Sequence, residues 1–112
     1  MPDAIAYKIL TPADVAALDA GNFEGAPIDI ADGYIHLSTA GQLAETLDKH
    51  FAGRENLVIA AIGLAAFGPA VKWEISRGGA LFPHLYARLG WASILAHAPL
   101  ARAADGSVIL PG

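Results

Sequence analysis

A phenol, an imidazole and a hydroxyl alternate with two aliphatic residues in the stretch Asp32-Gly33-Tyr34-Ile35-His36-Leu37-Ser38-Thr39. Asp-Gly is turn chemistry, because Gly accepts a positive φ and Asp bonds to its own backbone. If the following residues are extended, Ile35 and Leu37 point one way and Tyr34, His36 and Ser38 the other. One face then suits a core and the other suits a ligand. A histidine so placed can bond a ligand through one ring nitrogen while backbone fixes the other. A structural histidine tying a helix start to a sheet is the competing reading. Capping of a second helix accounts for both Ser38 and Thr39. A helix start beside His36 would also favour an anionic or phosphate-bearing ligand.

A second polar-aromatic cluster, Phe82-Pro83-His84-Leu85-Tyr86, lies downstream. His84 reads either as a base or stacking wall of an aromatic pocket or as a partly buried packing residue. Tyr34 and Tyr86 can hold a planar ligand, though aromatic rings more often simply pack. Lys72 and Glu74 share a strand face, where a solvated charge pair is the simpler reading of Glu74 than a catalytic carboxylate. The expectation is that the two histidine segments meet in one cleft. His36 and His84 are then the candidate catalytic residues, and Tyr34, Ser38, Thr39, Glu74 and Tyr86 the candidate ligand contacts. His36, Glu74 and His84 lack any metal-site spacing, so no metal is expected. A serine hydrolase is disfavoured because Ser38 has no Gly-x-Ser-x-Gly context.

The elements that must position these groups follow from periodicity. Ala6 to Leu10 reads as a first strand, with Ile5, Tyr7 and Ile9 on one face. Thr11-Pro12-Ala13-Asp14 is a helix start, and the helix should run to Ala20 with Val15 and Leu18 inward and Gly21 ending it. Asn22 to Ala31 reads as a loop or irregular strand. A second helix after Thr39 should bury Leu43, Leu47 and Phe51 and stop at Gly53. Leu57 to Ile62 is an apolar run suited to a central strand covered on both faces. Val71 to Ile75 alternates, with Val71, Trp73 and Ile75 expected inward. Pro83 is expected to open a short helical turn over His84 to Tyr86. Trp91 to Ala98 reads as a strand and Ser107 to Leu110 as a closing edge strand. Two helices near the N-terminal half and five or six strands indicate an α+β fold with a mixed or antiparallel sheet.

Composition bounds the function classes. At 112 residues one domain is expected. Apolar residues make up 54% and charged residues 16%, which disfavours disorder. Cysteine is absent from the sequence, which excludes disulfides, zinc-thiolate sites and thiol nucleophiles. The net charge of −4, with no Lys/Arg cluster, disfavours nucleic-acid partners. The apolar stretch from Leu57 to Val71 is broken by Gly63, Gly68 and Pro69, so a membrane span is not expected. The opening Met1-Pro2-Asp3 lacks the character of a signal peptide, and a cytoplasmic location is the default expectation.

Taken together, the Asp32 to Thr39 segment, Gln42, Phe51, Lys72-Trp73-Glu74 and Phe82 to Tyr86 resemble the bacterial domain-of-unknown-function family 952 over essentially the whole chain. That family is grouped by remote similarity with the ADP-ribosyltransferase-like fold, which includes RNA 2′-phosphotransferases. The resemblance implies a split, mostly antiparallel sheet with a cleft for NAD or ADP-ribose. It implies that His36 bonds the ribose of the nicotinamide half and that His84 or Tyr86 takes the stacking position. Toxin-like members of the fold carry a catalytic Glu on a late strand, and no Glu follows Trp91 here. Arg residues are also unclustered, unlike the set used by the RNA phosphotransferases. Two readings therefore stand beside an ADP-ribosyltransferase-type enzyme: a non-catalytic module for a nucleotide or other small anionic ligand, and a structural or interaction domain. Substrate and oligomeric state are not readable from the chain.

Overall fold

The computed structural model describes residues 4–111; the Met1-Pro2-Asp3 start lies outside them. Among the described residues, six strands form two antiparallel three-stranded sheets. One sheet has the order β1 (Ile5–Leu10), β3 (Val58–Gly63), β6 (Ile94–Pro99). The other has the order β2 (Ile35–His36), β5 (Leu81–Leu85), β4 (Val71–Ile75). The sheets meet where Tyr7 and Ser38 exchange backbone bonds of 2.8 and 2.9 Å. The helices are α1 (Pro12–Ala20), α2 (Pro27–Asp32) and α3 (Leu43–His50). Among the described residues, no helix is long and apolar enough to cross a membrane.

β3 lies at the centre of its sheet and is buried on both faces. Ala60 and Ile62 join a core with Ala6, Leu10, Ile35, Leu37 and Leu85. Ile59 packs on the opposite side with Ile9, Leu43 and Leu47. Burying each of the Leu and Ile side chains stabilises the fold by roughly 1.5–3 kcal/mol. α1 starts as expected. Thr11 Oγ1 accepts from Asp14 N and Asp14 Oδ2 accepts from Thr11 N, a reciprocal capping box. Gly21, in the left-handed region with φ 75°, ends it.

Several expectations need correction. The stretch from Asn22 to Ala31 holds the start of a third helix, α2, which runs on to Asp32. Its start, Ala26-Pro27-Ile28-Asp29, repeats the Pro and Asp placing of Thr11-Pro12-Ala13-Asp14. Ala26 has no side-chain acceptor, which hid the pattern. Thr39 does not cap α3 directly: a 3₁₀ turn at Ala40–Gln42 intervenes and α3 begins at Leu43. Gln42 Oε1 accepts from Thr39 N instead. The helical turn expected at His84 to Tyr86 is absent, because His84 and Leu85 lie in β5. Pro83 sits inside that strand without breaking it. Leu37 N donates to Pro83 O at 3.1 Å, and Pro83 has no N–H to return the bond. The β2–β5 ladder therefore stops after two pairs.

Ile75, expected inward, is 73% exposed, because it pairs with Leu81 at the hairpin end, beyond the cover of the core. Trp91–Ser93 forms a 3₁₀ turn, so β6 starts only at Ile94. Ser107 to Leu110 adds no edge strand to a sheet. The Asp105-Gly106 turn folds the segment back on its neighbours, with Ala103 N donating to Ser107 O and Ile109 N to Ala101 O.

Candidate functional site

β2, β5 and β4 run side by side, and cross-strand register decides which side chains share a face. His36 is opposed to His84, and His84 to Lys72 on its other flank. Side chains two residues away along a strand return to the same face. Tyr34, Tyr86 and Glu74 therefore join the row. The ring of Tyr34 stacks on His84, with centroids 4.1 Å apart and planes 25° apart. It also leans on His36 at 4.6 Å and Tyr86 at 5.2 Å. Lys72 Nζ lies 4.9 Å above the Tyr86 ring.

His84 is 2% exposed. Its Nδ1 lies 2.8 Å from Glu74 Oε1, and the Tyr86 hydroxyl donates to the same oxygen at 2.7 Å. The Tyr86 and His84 hydrogen bonds hold Glu74 below its usual carboxylate range. The Glu74 bond in turn pushes Tyr86 up to about 12, so the phenol keeps its proton. Among the described residues, His84 Nε2 is buried without a hydrogen-bond partner. Burial raises Tyr34, and the nearby Asp32, Glu74 and Asp29 charges add to that.

His36 is held differently. Its Nδ1 lies 2.7 Å from Asp29 Oδ1 and its Nε2 lies 3.0 Å from Asp32 Oδ2. Carboxylates occupy both ring nitrogens, where sequence reasoning expected backbone on one side and a ligand on the other. The key residue is Asp29 at the third position of α2, whose side chain is fully buried. Asp29 Oδ2 accepts from Ala26 N at 2.8 Å and pairs with Lys8 Nζ at 2.9 Å. Its Oδ1 also accepts from His36 N at 3.0 Å. Burial pushes the Asp29 carboxyl up, but the His36 hydrogen bonds and the Lys8 charge outweigh it and hold the group at about 2. Lys8, itself buried, also donates to His36 O at 3.0 Å. One carboxylate thus fastens α2 to β1 and β2.

A cavity of about 570 Å³ opens beside the junction of the sheets; Lys8, Tyr34, His36, Ser38, Arg54 and His84 are among its lining residues. Ser38 is buried, and its hydroxyl lies 3.0 Å from that of Thr46. The structure therefore brings Tyr34, His36, Glu74, His84 and Tyr86 together and puts Ser38 on the same cavity. Thr39 instead opens the 3₁₀ turn before α3, its N–H donating to Gln42 Oε1. Sequence reasoning missed Lys8, Asp29 and Asp32; only the repeated Pro-x-Asp pattern pointed to Asp29. Among the described residues, no group of three or more His, Asp or Glu converges as a metal site.

Fold and site define the class: an α+β domain of two antiparallel three-stranded sheets, with a histidine-lined cavity where they join. The chain belongs to the family described as Protein of unknown function (DUF952), which matches residues 9–97. It is similar to protein CC0527 from Caulobacter crescentus. Their crystal-structure comparison gives 45% identity and a TM-score of 0.82 over 94% of this chain and 93% of that one. The solution NMR structure of CC0527 gives a TM-score of 0.77 over 94% and 91%. No curated protein matches the chain.

Proposed function

We propose that the cavity binds a small nucleotide-type ligand of the NAD or ADP-ribose kind, with His84 and Tyr34 at its centre. The observation that carries this reading is the buried, unpartnered His84 Nε2 on the cavity wall, beneath the Tyr34 ring. A polar atom left in that condition costs free energy unless something bonds to it. The volume of about 570 Å³ falls in the range of small-molecule sites. Arg54 on the lining offers a charge for a phosphate, and Tyr34 a face for a planar ring. The resemblance to the ADP-ribosyltransferase-like fold supplies the ligand class.

Binding without transfer to protein is the form of this reading that the residues favour. Glu74 is the last Glu of the chain, and it is engaged by His84 and Tyr86. Chemical-shift titration with NAD, ADP-ribose and a mononucleotide tests the proposal, in wild type and His84→Ala. Saturable shifts at His36 and His84 are expected in wild type, and the His36 shifts should be lost in the variant. A folded spectrum unmoved by millimolar ligand would refute the nucleotide reading. A nicotinamide-release assay then separates binding from turnover.

A further inference from the structure

Among the described residues, His84 lines the cavity and has a buried ring nitrogen, Nε2, without a hydrogen-bond partner. Its other nitrogen, Nδ1, faces an acceptor that has no proton to give: Glu74 is held ionised and already accepts from Tyr86. A carboxylate accepts only, so Nδ1 carries a proton, and the neutral form of the ring then presents Nε2 as a bare lone pair. We propose that His84 Nε2 is a hydrogen-bond acceptor subsite, selecting occupants that present an O–H or N–H donor beneath Tyr34, with Glu74 and Tyr86 as the positioning residues that fix the tautomer. Acceptor-only groups such as sulfate, carboxylate or fully ionised phosphate are turned away from this point, so the anionic part of any ligand lies elsewhere in the cavity. The subsite is defined by the apo geometry and holds for any occupant, so it stands or falls separately from the nucleotide reading.

The test uses the 112-residue chain at about pH 7.5, with long-range proton–nitrogen NMR of the His84 ring. Titrations with phenol, anisole and sulfate follow. Phenol and anisole are both planar, but only phenol donates; sulfate only accepts. The expected apo spectrum shows a protonated Nδ1 and an unprotonated Nε2. Phenol should shift Nε2 upfield and bind about fivefold more tightly than anisole, the worth of one neutral hydrogen bond. Sulfate should leave Nε2 unmoved. In Glu74→Ala and Tyr86→Phe, both altered at exposed or half-exposed side chains, the Nδ1–H tautomer should lose population, most in Glu74→Ala, and the phenol preference should shrink with it. A purely structural role for Glu74 would leave the tautomer unchanged. A protonated Nε2 in the wild-type apo protein overturns the proposal. So does equal affinity for phenol and anisole, an absent Nε2 shift with phenol, or an Nε2 shift with sulfate.

Discussion

His36 and His84 are directly opposed on β2 and β5, with ring centroids 5.5 Å apart and rings edge-on. The two are chemically unlike despite this closeness. His36 is clamped between Asp29 and Asp32, whereas His84 is fixed on one side by Glu74 and, on the other, buried without a hydrogen-bond partner among the described residues. The first holds the scaffold, and the second is the residue on which the proposed ligand site rests.

Asp29 should be the most sensitive polar position in the chain. Asp29→Ala strips the acceptor from Ala26 N, His36 N and His36 Nδ1 and leaves the Lys8 ammonium buried without its counter-charge. The expected loss is about 3–5 kcal/mol, read from urea denaturation. Lys8→Met should cost less, since three N–H donors still satisfy the carboxylate. A midpoint unchanged by Asp29→Ala would show that the network does not stabilise the fold.

Acid should reveal the same group. The Asp29 carboxyl is lowered from 3.8 to about 2 on folding. A depressed folded value means the stabilisation is fully present above pH 3.8 and is lost as pH falls through about 2. The difference amounts to about 2 kcal/mol. Stability measured from pH 5 down to about pH 2 should show this decline in wild type. In Asp29→Asn the decline should be smaller by that amount, and parallel curves would contradict the assignment.

Tyr34 should act on His84 through its ring alone. Tyr34→Phe keeps the stack and should leave stability and the His84 proton shifts almost unchanged. Tyr34→Ala should cost about 1 kcal/mol and remove the ring-current shift at His84. If Phe and Ala behave alike in the NMR spectrum, the hydroxyl is the group that matters.

Thr11→Ala should destabilise the protein by about 1 kcal/mol, because Asp14 N loses its acceptor at the start of α1. Thermal unfolding of the variant beside Thr11→Ser checks this. The serine keeps the oxygen and should retain most of the stability.

Local chemistry made much of the fold legible in the sequence. Thr11, Pro12 and Gly21 bound α1 through backbone preferences that act within a few residues, and the apolar run of β3 marks a buried strand through side-chain transfer alone. Alternation likewise told that Tyr34, His36 and Ser38 share a face. Only the tertiary structure decided what that face meets. The pairing of His36 with His84 depends on register between strands 48 positions apart in sequence, and no local periodicity encodes register between distant segments. Pro83 stands in β5 because its carbonyl still accepts from Leu37 N, while its missing N–H ends the β2–β5 ladder. Asp29 looked like a turn residue because its partners, Lys8 and His36, come from other strands. Burying a carboxylate is favourable only when those partners are already assembled around it, and that assembly is a property of the folded chain.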